Sequence, residues 1–189
     1  MNRPGRIIFL NGASSSGKTT LAKALQSQLP LPFWHYSIDH FRGDDILPMA
    51  RIRSGEFPWP GLRQAFFDGF HASIPALVGA GNNMLLEHIV EDEMWLKRLV
   101  RLLAGLDVFF VGLHCSLPEL EKRERARGDR PMGDARADFS KVHTHCVYDL
   151  ELDSNSGLAE NVTTVCNAWT ERSSPSAFER LYLKHFGSA

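Results

Sequence analysis

Gly12-Ala13-Ser14-Ser15-Ser16-Gly17-Lys18-Thr19 fits the phosphate-binding pattern G-x-x-x-x-G-K-[ST] at every position. Each fixed residue has a physical task. Gly12 and Gly17 let the backbone turn so that successive N–H groups point at an anion. Lys18 adds a mobile positive charge for outer phosphates, and the Thr19 hydroxyl suits a phosphate-bound Mg²⁺. A helix predicted from Lys18 to Leu29 adds its N-terminal dipole to the same negative ligand, with Thr20 in its first turn. The chemistry implied is nucleotide binding, with ATP and Mg²⁺ as the expected cofactors.

Three further groups could act on a bound phosphate. Asp39 is expected where a strand ends, on the sheet edge that carries the phosphate loop, as a catalytic carboxylate or as a helix N-cap. Glu87, next to His88 in an otherwise apolar run, suits water-mediated placement of Mg²⁺, or else simply reaches solvent at a strand end. Lys122 to Arg130 is basic and helical up to Gly128. Arg123 and Arg127 share one face of it, Glu121 is expected to pair with Arg125, and Arg130 follows in a loop. Behind a phosphate loop, arginines on a closing segment, here about 122–138, can stabilise charge spreading over a transferring phosphoryl group.

The elements that must hold these residues are legible from periodicity. Arg6–Asn11, Met84–Val90 and Val108–Leu113 are short apolar runs suited to buried parallel strands, and Leu31–Ile38 reads as a second strand in chain order. Leu21, Leu25 and Leu29 recur at helical spacing, as do Leu62, Phe66, Phe70, Ile74 and Leu77, where Pro75 should bend or shorten the helix. Met94–Leu106 predicts another helix, and Ser116 with Glu119 a capping box opening the next. His40–Pro60 lacks periodicity, and Phe57–Gly61 reads as a rigid aromatic loop, an acceptor wall or a surface loop with Trp59 tucked in. Tyr148–Asp153 suits an edge strand. Two closing helices follow, Leu158–Trp169 and Phe178–Phe186, the second with Ser174 as cap and Pro175 at its first position. Strands alternating with helices imply a three-layer α/β fold of the P-loop NTPase type, with a mainly parallel central sheet and an arginine-bearing lid.

At 189 residues, 43% of them hydrophobic, the chain is expected to form one domain, 1–189, with a substantial core. Its 21 Lys and Arg against 22 Asp and Glu give a formal net charge of -1, which argues against nucleic acid or an anionic membrane as partner. Cys115, Cys146 and Cys166 form no C-x-x-C pair, so a reduced, cytoplasmic protein is expected. His143, His145 and Cys146 fit no standard zinc spacing. Nothing in the sequence indicates an oligomeric state.

Read together, the chain resembles the chloramphenicol phosphotransferase family, kinases that phosphorylate the primary hydroxyl of that antibiotic. The resemblance rests on Ile8-Phe9-Leu10-Asn11-Gly12 entering a Ser-rich loop, Ser37-Ile38-Asp39, Ala126-Arg127-Gly128-Asp129-Arg130, and Val142-His143 followed by Tyr148-Asp149, and runs nearly end to end. It implies that Asp39 is the base facing an acceptor hydroxyl and that Arg127 and Arg130 serve the phosphates. The chain departs from the family where paired aspartates close the third strand, since Glu87-His88 stands there, and between His40 and Leu62. The acceptor is therefore expected to be a small molecule with a free hydroxyl, chloramphenicol or another. A P-loop kinase acting on a nucleoside, a nucleotide or another metabolite and a non-kinase ATP-binding regulator are the alternatives.

Overall fold

The computed structural model describes residues 3–43, 46–127 and 132–187. In chain order the elements are β1 (Arg6–Asn11), α1 (Lys18–Gln28), β2 (Phe33–Ser37), α2 (Ile38–Gly43), α3 (Met49–Arg53), α4 (Trp59–Gly79) and β3 (Asn83–His88). Then come α5 (Glu93–Leu102), β4 (Asp107–His114), α6 (Leu117–Arg127), α7 (Asp134–Phe139), β5 (Leu150–Asp153), α8 (Leu158–Thr170) and α9 (Ala177–Phe186).

The five strands form one sheet in the order β2-β3-β1-β4-β5, and every pairing is parallel. Alternation of side chains along the strands divides the core in two. Ile7, Phe9, Met84, Leu86 and Phe110 face α4, α5 and α9, where Ile74, Leu99 and Phe178 meet them. Ile8, Leu10, Leu85, Phe109 and Val111 face α1 and α8, where Leu25 and Val165 meet them. Both faces are covered, so the middle strands read as continuous apolar runs, and burying each large side chain contributes about 1.5–3 kcal/mol.

Several boundaries differ from the sequence reading. The second strand starts at Phe33 and stops at Ser37, leaving Asp39 in the first turn of α2. The stretch without periodicity holds α2 and α3, both too short for a helical repeat to show. Only Phe57 and Pro58 of Phe57–Gly61 lie in a loop: α4 opens at Trp59 with Pro60 in its first turn, where a missing N–H is harmless. Pro75 does not shorten α4, which continues to Gly79. Leu62 lies on the exposed side of that helix. The cap of α9 is Ser176, not Ser174, in a reciprocal capping box with Glu179. Glu121 pairs with Arg136 on α7 instead of Arg125. Among the described residues, no helix is long and apolar enough to cross a membrane.

Candidate active site

The parallel arrangement brings the carboxyl ends of all five strands to one edge, where a cleft of about 770 Å³ opens. The 12–19 loop leaves β1 at the middle of that edge. Gly12 is required by packing, since a Cβ there would lie 2.6 Å from the Leu113 carbonyl oxygen on β4. Gly17 has φ 100 and Ser15 φ 64, so the chain turns through the left-handed region twice within the loop. Such alternation points neighbouring amides inward and makes an anion cradle at the start of α1. The Lys18 ammonium lies buried under this cradle, donating to the carbonyls of Gly12 (2.8 Å) and Ala13 (2.7 Å). The Ser16 hydroxyl is fully buried and has no hydrogen-bond partner among the described residues.

The residues predicted for a metal do meet. Thr19 Oγ1 donates to Glu87 Oε1 at 2.8 Å, and the other carboxylate oxygen lies 2.8 Å from His35 Nε2. Ser37 of β2 is in register with Glu87 of β3, which places His35 diagonally across the strand pair from that carboxylate. Burial resists ionisation of Glu87, but the His35 hydrogen bond, the Lys18 charge and the Thr19 hydrogen bond together outweigh it. They hold the carboxyl below its ordinary value. A hydroxyl and an ionised carboxylate side by side are the hard oxygen ligands that Mg²⁺ prefers.

On the β2 side the cleft is walled by Asp39, Arg42, Trp59, Arg63, Phe67 and His88. Asp39 Oδ1 lies 4.0 Å from Arg42. The Arg63 guanidinium sits 4.8 Å above the Phe67 ring and donates to both carboxylate oxygens of Glu91, at 2.6 and 2.7 Å. His88, which the sequence left unexplained, stacks on Trp95 and shares an Nε2 to Nε2 hydrogen bond of 2.8 Å with His71. Burial pushes the His71 pKa down to about 4 and that of His88 well below its ordinary value, so both rings are neutral.

On the opposite side, Arg123 donates to the Ser16 carbonyl and the Ser154 hydroxyl, and Arg127 lines the cleft at the end of α6. Arg130 lies outside the described residues. Glu124 accepts from the backbone N–H groups of Ala135 (2.9 Å) and Gly133 (3.1 Å), clasping α7 to α6. Asp138 of α7 accepts from the Ser14 amide at 2.9 Å. Burial raises its pKa, against the pull of that hydrogen bond and of Lys18.

Three further residues hold the site, two without a sequence signal and one that the sequence marked only through the family resemblance. His35 matters through strand pairing, and Asp138 through the docking of α7. The third is Asn11, fully buried at the end of β1: it accepts from Val90 N and donates to the Val142 carbonyl and the Tyr148 hydroxyl.

A phosphate loop between the first strand and first helix of an all-parallel five-stranded sheet defines the class: this is the P-loop kinase fold. Solved structures agree. The APS kinase of Mycobacterium tuberculosis in complex with AMPPNP and APS superposes with TM-score 0.65 at 18% identity, over 88% of this chain and 98% of its own. A gluconokinase from Sinorhizobium meliloti gives 0.58 at 17%, over 98% and 99%, and a shikimate kinase from Bacteroides thetaiotaomicron 0.59 at 15%, over 87% and 98%. The particular family follows from sequence: the chain belongs to the chloramphenicol phosphotransferase-like proteins, which it matches over residues 5–170. A Mycobacterium tuberculosis protein, named provisionally an O-phosphotransferase, is 30% identical over 199 residues, covering 94% of this chain and 88% of that protein. The chain is thus a phosphotransferase of the P-loop kinase fold.

Proposed function

We propose that the protein transfers the γ-phosphate of ATP to a hydroxyl group of an uncharged small molecule, with chloramphenicol the first acceptor to test. The observation that carries this is that the phosphate loop, Asp39 and the hydrogen-bonded Thr19–Glu87 pair line one and the same cleft. The acceptor oxygen would bond to the γ-phosphorus as the bond from that phosphorus to its bridging oxygen breaks. ADP leaves with the electron pair, and the hydroxyl proton passes to Asp39. The amides of residues 13–18 would cradle the phosphates and Lys18 would turn from the loop carbonyls onto them, with Arg123 and Arg127 alongside. Thr19 and Glu87 fit Mg²⁺, which when bound neutralises phosphate charge.

Arg42 and Arg63, the arginines on the acceptor side of the cleft, already face Asp39 and Glu91. Matched charge on that wall supports a neutral acceptor over a nucleoside monophosphate. ADP release should be measured with chloramphenicol, other hydroxyl-bearing antibiotics and nucleosides, and the products weighed by mass spectrometry. A gain of one phosphoryl group on a neutral alcohol is the expected result. Turnover of a nucleoside monophosphate alone would refute a neutral acceptor, and ATP binding without any acceptor-dependent ADP release would refute the kinase reading.

A further inference from the structure

The Asp138 carboxylate is out of place by charge. It lies among the residues that line the cleft, within hydrogen-bond distance of a phosphate-loop amide, and α7 brings it there from beyond the arginine-bearing helix. A carboxylate oxygen accepting from a loop N–H at 2.9 Å does what a phosphate oxygen does in such a cradle. The contact is built: Glu124 fixes the start of α7 through two backbone bonds, and Ala135 and Val142 on either side of Asp138 pack with Ala13 and Leu120 in a small apolar cluster. Ser14 has one N–H, and a phosphate brought into that part of the loop meets both a competing acceptor and a like charge.

We infer that Asp138 is a further residue of the nucleotide site, a built-in anion that occupies the Ser14 amide and that nucleotide phosphates must displace. The inference rests on the nucleotide reading above and deepens it: the carboxylate keeps the loop folded around a negative group and lowers affinity for the polyphosphate. Its effect falls on the phosphates, not on the nucleoside.

The test is calorimetric titration of wild type, Asp138→Asn and Asp138→Ala with a non-hydrolysable ATP analogue and separately with adenosine, each variant first checked for wild-type-like melting. Asn keeps the shape and an acceptor oxygen but removes the charge, and Ala removes both. Both should bind the analogue at least about fivefold more tightly than wild type, the factor that one like charge about 4 Å away is worth even at the dielectric of water. Adenosine should bind all three alike. Unchanged or weaker analogue binding in either folded variant overturns the inference while leaving the nucleotide site intact. Equal gains for adenosine and the analogue overturn it too, because the effect would then be steric. Wild type that binds no analogue removes the nucleotide reading itself, and this inference with it.

Discussion

Lys18 carries the phosphate site at the scale of single residues. Its ammonium is buried against two loop carbonyls, ready to exchange them for phosphate oxygens. Lys18→Ala should abolish turnover and weaken ATP binding in a protein that still folds, measured by titration and melting on one sample. Unchanged kinetics would remove the nucleotide from this loop. Asp39 needs a sharper experiment, because it lies in the first turn of α2, where an acidic residue also favours the helix dipole. As general base it should contribute about 10² to 10⁴ in rate, so Asp39→Asn should lower kcat by that factor with ATP affinity nearly constant. A helix-end role alone predicts a stability loss of about 1 kcal/mol or less and normal turnover per folded molecule.

Elements are tied at the site by side chains that do not themselves line the cleft. Asn11, at the last position of β1, joins the segment after β3 through Val90 N and the segment after α7 through Val142 and Tyr148. Tyr148 in turn bonds His143 at 2.6 Å and covers Gly112, where a Cβ would come within 2.7 Å of its ring. Asn11→Ala would leave a buried N–H and a buried carbonyl without their partner. A loss of about 2–4 kcal/mol in chemical denaturation is expected, with reduced kcat because both flanks of the phosphate loop lose their anchor. A loss below about 0.5 kcal/mol would show that water replaces the amide freely.

For the whole molecule, buried neutral histidines set the acid limit. The pKa of His71 is about 4 because of burial, reinforced by Arg98, and that of His143 is also about 4 through burial and the neighbouring His114. In the unfolded chain both would protonate near the ordinary 6.5. As pH falls below that value the unfolded state takes up protons that the folded state refuses, so stability is full above about pH 6.5 and is lost down to about pH 4. His71 should account for on the order of 2–3 kcal/mol of the loss, and half-buried His143 for less because solvent screens it. Glu87, whose carboxyl is held low, adds its own loss only as pH falls through its folded value, below the ordinary 4.5. Chemical denaturation between about pH 7 and about pH 4.5 should show a steady decline, and a flat profile would contradict buried neutral rings.

The phosphate loop was readable because its function depends on contiguous residues: a turn, a charge and a hydroxyl within Gly12–Thr19 need no distant partner. The core strands were readable for a similar reason, since burial on both faces writes itself as an unbroken apolar run in Arg6–Asn11 and Val108–Leu113. Short elements such as α2 and α3 left no period to detect, and Ser176 outcompeted Ser174 as a cap because only Ser176 and Glu179 can satisfy each other's backbone donors. The diagonal from His35 to Glu87, the hydrogen bonds of Asn11 and the seat of Asp138 on Ser14 depend on which strands pair and where α7 docks. Those contacts join residues 52 to 137 positions apart. Local sequence encodes propensity and pattern, whereas a hydrogen bond between distant residues exists only once the sheet order and its register have brought donor and acceptor within about 3 Å.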